Sequence, residues 1–138
     1  MKSIYLKILI LTFLVFGISC EKENQNIQAG NYTGTFKVVY IDGREMAGAV
    51  TLELNSPTFY CSGNKNRIPA GGSGTYSFEK NTVSFTDKNA WTADFDPGLI
   101  LNMKYDYTFD GKKLKMRKFI GDYAYYEYDL TKGISASE

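Results

Sequence analysis

From Asn31 onward, apolar and polar residues alternate with a period of two rather than 3.6. That spacing belongs to extended chain, where successive side chains point to opposite faces. Asn31–Ile41 sets Tyr32, Gly34, Phe36, Val38 and Tyr40 on one side, and Thr33, Thr35 and Lys37, then Val39 and Ile41, on the other. Asp42-Gly43 follows, a pair suited to a hairpin because both central positions of the favoured turn take positive φ. Alternation resumes over Ala47–Asn55, with Val50, Leu52 and Leu54 against Thr51 and Glu53, and breaks at Ser56-Pro57. Thr58–Ser62 is a short third strand. Gly74–Lys80 pairs Tyr76 with Phe78, and Thr82–Asp87 presents Val83 and Phe85. Leu99–Phe109 reads as the longest strand, with Leu99, Leu101, Met103, Tyr105, Tyr107 and Phe109 on one face. A second hairpin pair, Asp110-Gly111, leads into Lys113–Phe119 and Tyr123–Thr131.

About eight short strands joined by mostly tight turns, with no helical stretch, predict an all-β antiparallel meander. Eight strands can close into an up-and-down barrel, which removes exposed edges. A two-sheet β-sandwich is the alternative, because closure depends on strand tilt and stagger rather than on local turn chemistry. Two connections are longer. Gly63–Gly74 is rich in Gly, Asn, Pro and Ser and ends in "PAGGSG"; it reads as a flexible lid or crossing. A phosphate cradle would need a helix and a Lys-Ser/Thr pair after the glycines, and strand follows instead. Lys88–Gly98 is irregular and carries the single tryptophan, Trp91.

The N-terminus has a different character. Lys2 and Lys7 precede or open an apolar run to Ile18. A positive start and a short apolar stretch describe a secretory signal, too short to remain as a membrane span of about 20 residues. Gly17-Ile18-Ser19-Cys20 resembles the lipobox of bacterial lipoproteins, which implies cleavage before Cys20 and lipidation of its sulfur. Each buried methylene of such an anchor contributes about 0.8 kcal/mol of membrane binding. Glu21-Lys22-Glu23 resembles the export signal that sends lipoproteins of Bacteroidetes to the outer face of the outer membrane, so surface exposure is expected, with the periplasmic face as alternative. "AGNYTGTF", Ala29–Phe36, is similar to the Gly-x-aromatic opening of the first strand in lipocalin-like barrels. By that resemblance Tyr32 is structural, packing at the closed end of a barrel. The expected organisation is a signal peptide over 1–19, a lipidated cysteine and flexible tether over 20–29, a lipocalin-like barrel over 30–132 and a polar tail over 133–138.

Cleavage takes Lys2 and Lys7 with it and moves the net charge from +1 to −1. Nucleic-acid binders need a clustered basic surface. The basic stretch Lys112–Lys118 alternates with apolar residues and reads as the solvated face of a strand. With Cys20 lipidated, Cys61 stands alone and no internal disulfide is available. Cys61 lies in an apolar setting where a thiol acts as a small hydrophobe. A catalytic thiolate wants a nearby base, and the chain has no histidine. No nucleophile elbow or nitrogen- or sulfur-type metal cluster occurs, and no cofactor motif. Asp94 and Asp96 could in principle form a carboxylate pair or hold calcium; beside Pro97-Gly98 they read as a solvated turn. A non-enzymatic role is therefore expected.

The leading expectation is a small apolar or amphipathic ligand inside the barrel, contacted by Phe36, Tyr40, Tyr76, Phe78, Trp91, Met103, Tyr105 and Tyr107. The competing expectation is that these large side chains fill the interior. In that case the protein is an interaction module, engaging a protein or glycan through outward tyrosines and loops. In Tyr123–Tyr128, Tyr126 and Tyr128 share a face with Leu130, and Tyr123 and Tyr125 take the opposite one.

Overall fold

A computed structural model describes residues 25–133; the expected signal peptide, Cys20 and most of the polar tail lie outside them. The described chain is a closed eight-stranded barrel in which each strand pairs antiparallel with its sequence neighbours and the last with the first. The strands are β1 (Gly30–Tyr40), β2 (Glu45–Asn55), β3 (Thr58–Cys61), β4 (Gly72–Glu79), β5 (Thr82–Asp87), β6 (Lys104–Phe109), β7 (Lys113–Ile120) and β8 (Ala124–Lys132). The barrel, not the sandwich, is the fold.

Both Asp-Gly turns form as the sequence dictates. The Asp42 carboxylate accepts from the Arg44 amide at 3.1 Å and its Nε at 2.7 Å, while Gly43 takes φ +86°. Asp110 accepts from the amides of Lys112 and Lys113 at 3.0 and 2.7 Å. At the closing seam the backbones approach closely. A Cβ on Gly34 would lie 2.0 Å from the Asp129 carbonyl oxygen, so the β1–β8 seam closes only because that side chain is missing.

The alternation separates inside from outside as expected. Tyr32, Phe36 and Val38, Val50, Leu52 and Leu54, Val83 and Phe85, and Tyr126, Tyr128 and Leu130 are all buried. Lys113 and Lys115 are exposed between buried Leu114 and Met116, the solvated face read from the sequence. A line of rings crosses the barrel: Phe59 meets Phe85 (4.9 Å between centroids), Phe85 meets Tyr105 (6.2 Å), Tyr105 meets Tyr128 (5.8 Å) and Tyr128 meets Phe36 (4.7 Å). These pairs adopt tilted or edge-to-face arrangements, which the ring quadrupoles favour.

The two ends differ. Gln25 and Gly133 lie at one end, called proximal here, with the short turns after β2, β4 and β6. The expected tether is not loose over its described part. The Gln25 amide donates to Phe109 O at 3.1 Å, the Tyr32 hydroxyl to Gln28 O at 2.6 Å, and Ile27 is buried in the core. One apolar residue among polar neighbours thus plugs the proximal end. The other, distal end carries the long connections 62–71 and 88–103.

The expected strand Leu99–Phe109 begins only at Lys104. Asp96 caps a short 3-10 helix, Pro97–Leu99, accepting from the Gly98 amide at 2.8 Å. Leu99, Ile100 and Leu101 are then buried consecutively, which a strand with one wet face cannot do. They run against the first long loop instead: Ala70 N donates to Leu99 O and Leu101 N to Gly71 O, both at 2.9 Å. Ile68 and Ala70 pack on the same core. The Gly63–Gly74 connection is therefore a fixed cover over the distal mouth and not a flexible lid. Asn64 pins it, accepting from the amides of Asn66 and Ile68 and donating to Ala49 O and Ile68 O.

Candidate functional site

Six of the eight expected ligand contacts come together in one core, and Phe78 and Trp91 do not join it. Phe36, Tyr76, Tyr105 and Tyr107 are buried core residues, and Tyr40 and Met103 pack partly buried against them. Phe78 has the inward parity but lies near the proximal end of β4, where it is 38% exposed beside Tyr76 and Tyr107. Trp91 is outside the barrel altogether, 39% exposed on the second long loop.

Two polar groups interrupt the packed interior. The hydroxyls of Tyr105 and Tyr128 are buried and, among the described residues, meet no partner in good hydrogen-bond geometry, although each lies close enough to the other to perturb it. Burial pushes both phenols well above their ordinary range. Cys61 is nearby inside the barrel, and burial pushes its thiol up to about 12. A thiol held protonated in this way cannot serve as a nucleophile at neutral pH. Asp94 is equally unsuited to acid catalysis: hydrogen bonds from Arg67 and Thr92 hold its carboxyl down to about 2. Its ion pair with Arg67 spans 2.9 Å, and Asp96 is occupied as the helix cap.

The distal outer wall carries two aromatic features. The first is the expected tyrosine surface. Val39, Tyr125 and Phe119 form one outward row across β1, β8 and β7. With Ile41 and Tyr123 at the loop tips they line a groove of about 390 Å³. Ile41, Phe119 and Tyr123 are all more than half exposed. Below this row Glu127, buried though outward, accepts from Arg117 Nε at 2.9 Å, and Lys115 stands 3.7 Å from it. Arg117 also lies 4.6 Å from the Tyr125 ring centre.

The second feature was not read from the sequence. Tyr60 on β3 faces outward opposite Ser73 on β4. The second long loop folds back beside them, so that Tyr60, Ser73, Asn89 and Trp91 line a cleft of about 340 Å³. Asp87 organises it. Its carboxylate accepts from Ser73 N at 2.8 Å, Asn89 N at 3.1 Å, Asn89 Nδ2 at 2.7 Å and Trp91 Nε1 at 2.6 Å. Asp-Lys-Asn at 87–89 is the kind of sequence whose side chain captures backbone two residues on, the one signal that could have placed this cluster. Phe95 backs the indole edge-on at 5.6 Å, and Arg67 covers Phe95 at 4.7 Å.

Comparison with family models, curated proteins and solved structures gives no match to this chain.

Proposed function

We propose that the protein is a non-enzymatic, lipid-anchored binding module of the bacterial cell envelope, built on a lipocalin-like barrel, whose distal outer surface engages a glycan or protein. The observation that carries this reading is the division of labour between the two ends. The buried side chains from Ile27 to Leu101 form one packed cluster, which supports the outer surface as the place for a partner. The exposed aromatics Tyr60, Trp91, Phe119 and Tyr123 lie outside that core.

The lipobox reading fits the same polarity. Cys20 precedes Gln25 by five residues, which reach at most about 17 Å when fully extended. An acyl anchor on Cys20 holds the proximal end close to the outer membrane and turns the long loops away from it. Aromatic side chains fixed on a rigid scaffold offer contact area at low entropic cost.

A second reading keeps the small amphipathic ligand inside the barrel. It is favoured by the unpartnered Tyr105 and Tyr128 hydroxyls, since buried polar groups normally have partners. Native mass spectrometry separates the two. The chain without its first twenty residues is incubated with a lipid and metabolite extract of the producing cell. The module reading expects the bare protein mass; a retained lipophilic molecule of one-to-one stoichiometry establishes the carrier instead.

A further inference from the structure

We infer that the cleft between Tyr60 and Trp91 is a binding site for an uncharged hexose unit of a glycan chain. This rests on the proposed distal working face and names the ligand class for it.

Trp91 gives its N–H to Asp87 and meets Phe95 edge-on, so the indole is held in one orientation before any ligand arrives. Tyr60 is 57% exposed on the neighbouring strand. Two aromatic side chains lining one small cleft suit a ring whose faces are made of C–H groups, as a pyranose is. The polar lining suits its hydroxyls. Ser73 Oγ donates to Asn89 Oδ1 at 3.1 Å, which leaves the hydroxyl oxygen and the second amide hydrogen of Asn89 for a ligand.

Charge decides against an ionic ligand. The carboxylate of Asp87, which stands behind the cleft, is occupied by four N–H groups, and Arg67 is turned toward Asp94 and the Phe95 ring. The cleft is lined by no charged residue, so it offers no ion to a phosphate, a uronate or an ammonium group. The cleft volume of about 340 Å³ lies at the small end of the roughly 300–1,000 Å³ of small-molecule sites, enough for one ring with its neighbours running out along the wall.

Trp91 is the only tryptophan, so its emission reports directly on the cleft. The chain without its first twenty residues keeps every strand and the whole described core. It is titrated with cellohexaose, mannohexaose and chitohexaose, and with adenosine as a flat aromatic control, by emission and by calorimetry. At least one hexaose is expected to give saturable binding. Tyr60→Ala, an exposed position, is expected to weaken it about tenfold or more, and Lys112→Ala at the proximal end to leave it unchanged. Three silent hexaoses overturn the inference, as does binding of adenosine alone or a Tyr60→Ala variant of full affinity. Silence with a bare mass in the extract experiment removes only the hexose assignment; a retained lipid removes the working-face reading itself.

Discussion

Replacing Tyr105 or Tyr128 by Phe removes a buried hydroxyl and leaves the ring in place. Among the described residues neither hydroxyl meets a partner in good hydrogen-bond geometry; the two face each other closely enough to perturb one another, which compensates little for the water each has lost. Such a group costs about 1–3 kcal/mol, and an apolar replacement of the same shape recovers part of that. Each single variant is therefore expected to gain about 1 kcal/mol. For the 109 residues of 25–133 that is a rise of about 4 °C in melting temperature. The rings touch, with centroids 5.8 Å apart, so the double variant is the informative one. With two independent orphans the gains add to about 2 kcal/mol, measured by urea unfolding followed by circular dichroism. Two outcomes refute the reasoning. Single variants that lose stability while the double recovers it mean that the hydroxyls bond to each other. Losses in all three mean that a third group sits between them, a water or a bound molecule, and the interior is not closed to ligands.

Three further outcomes follow from the same structure and a fourth from the lipobox resemblance. Gly34→Ala drives a Cβ into the Asp129 carbonyl and is expected to cost about 3 kcal/mol in denaturant unfolding, whereas Gly43→Ala, with open space around it, costs only the left-handed backbone penalty of about 1–2 kcal/mol. Ile27→Ala empties the proximal plug and is expected to lose about 2–4 kcal/mol, although it lies before the first strand. Cys61 has its folded-state pKa raised from 9.0 to about 12, so above pH 9 the unfolded chain releases a proton that the folded one keeps; its contribution is fully present below pH 9 and is lost toward pH 12 by about 1.4 kcal/mol per unit, and Cys61→Ala removes that share in unfolding measured from pH 9 to 10, below the further fall that the buried tyrosines raised from 10.0 add. Cys20→Ala is expected to abolish incorporation of labelled acyl chains and release the protein from the membrane fraction; persistent labelling contradicts the lipobox.

Much of the barrel was legible because one period governed both the strands and their burial. The two Asp-Gly pairs marked their hairpins, and in Tyr123–Tyr128 the alternation separated Tyr126 and Tyr128 from Tyr123 and Tyr125; the barrel turns the first pair inward and the second outward. It misled at Leu99–Met103, where the end of a 3-10 helix and the extended segment after it cover the barrel mouth and carry the same spacing as a strand. Only the burial of Ile100, in the alternate register, separates them. Ile27 was unreadable as core because a single apolar residue in a polar run has no period. The Tyr60–Trp91 cleft joins a strand to a loop thirty residues later through Asp87, and no local pattern encodes that fold-back. Phe78 fails for a geometric reason: inward parity buries a ring only where the barrel wall continues past it.

The central claim, a filled barrel that works through its distal outer wall, is tested most directly by amide and side-chain chemical-shift mapping. Isotope-labelled protein, again without its first twenty residues, is mixed in turn with the lipid fraction and with the glycan fraction of the producing cell's surroundings. The account expects shifts at Tyr60, Ser73, Asn89 and the Trp91 indole with glycan, and none at Phe36, Tyr105 or Tyr128 with either. Saturable shifts at Tyr105 and Tyr128 with the lipid fraction, while Trp91 stays still, would contradict it.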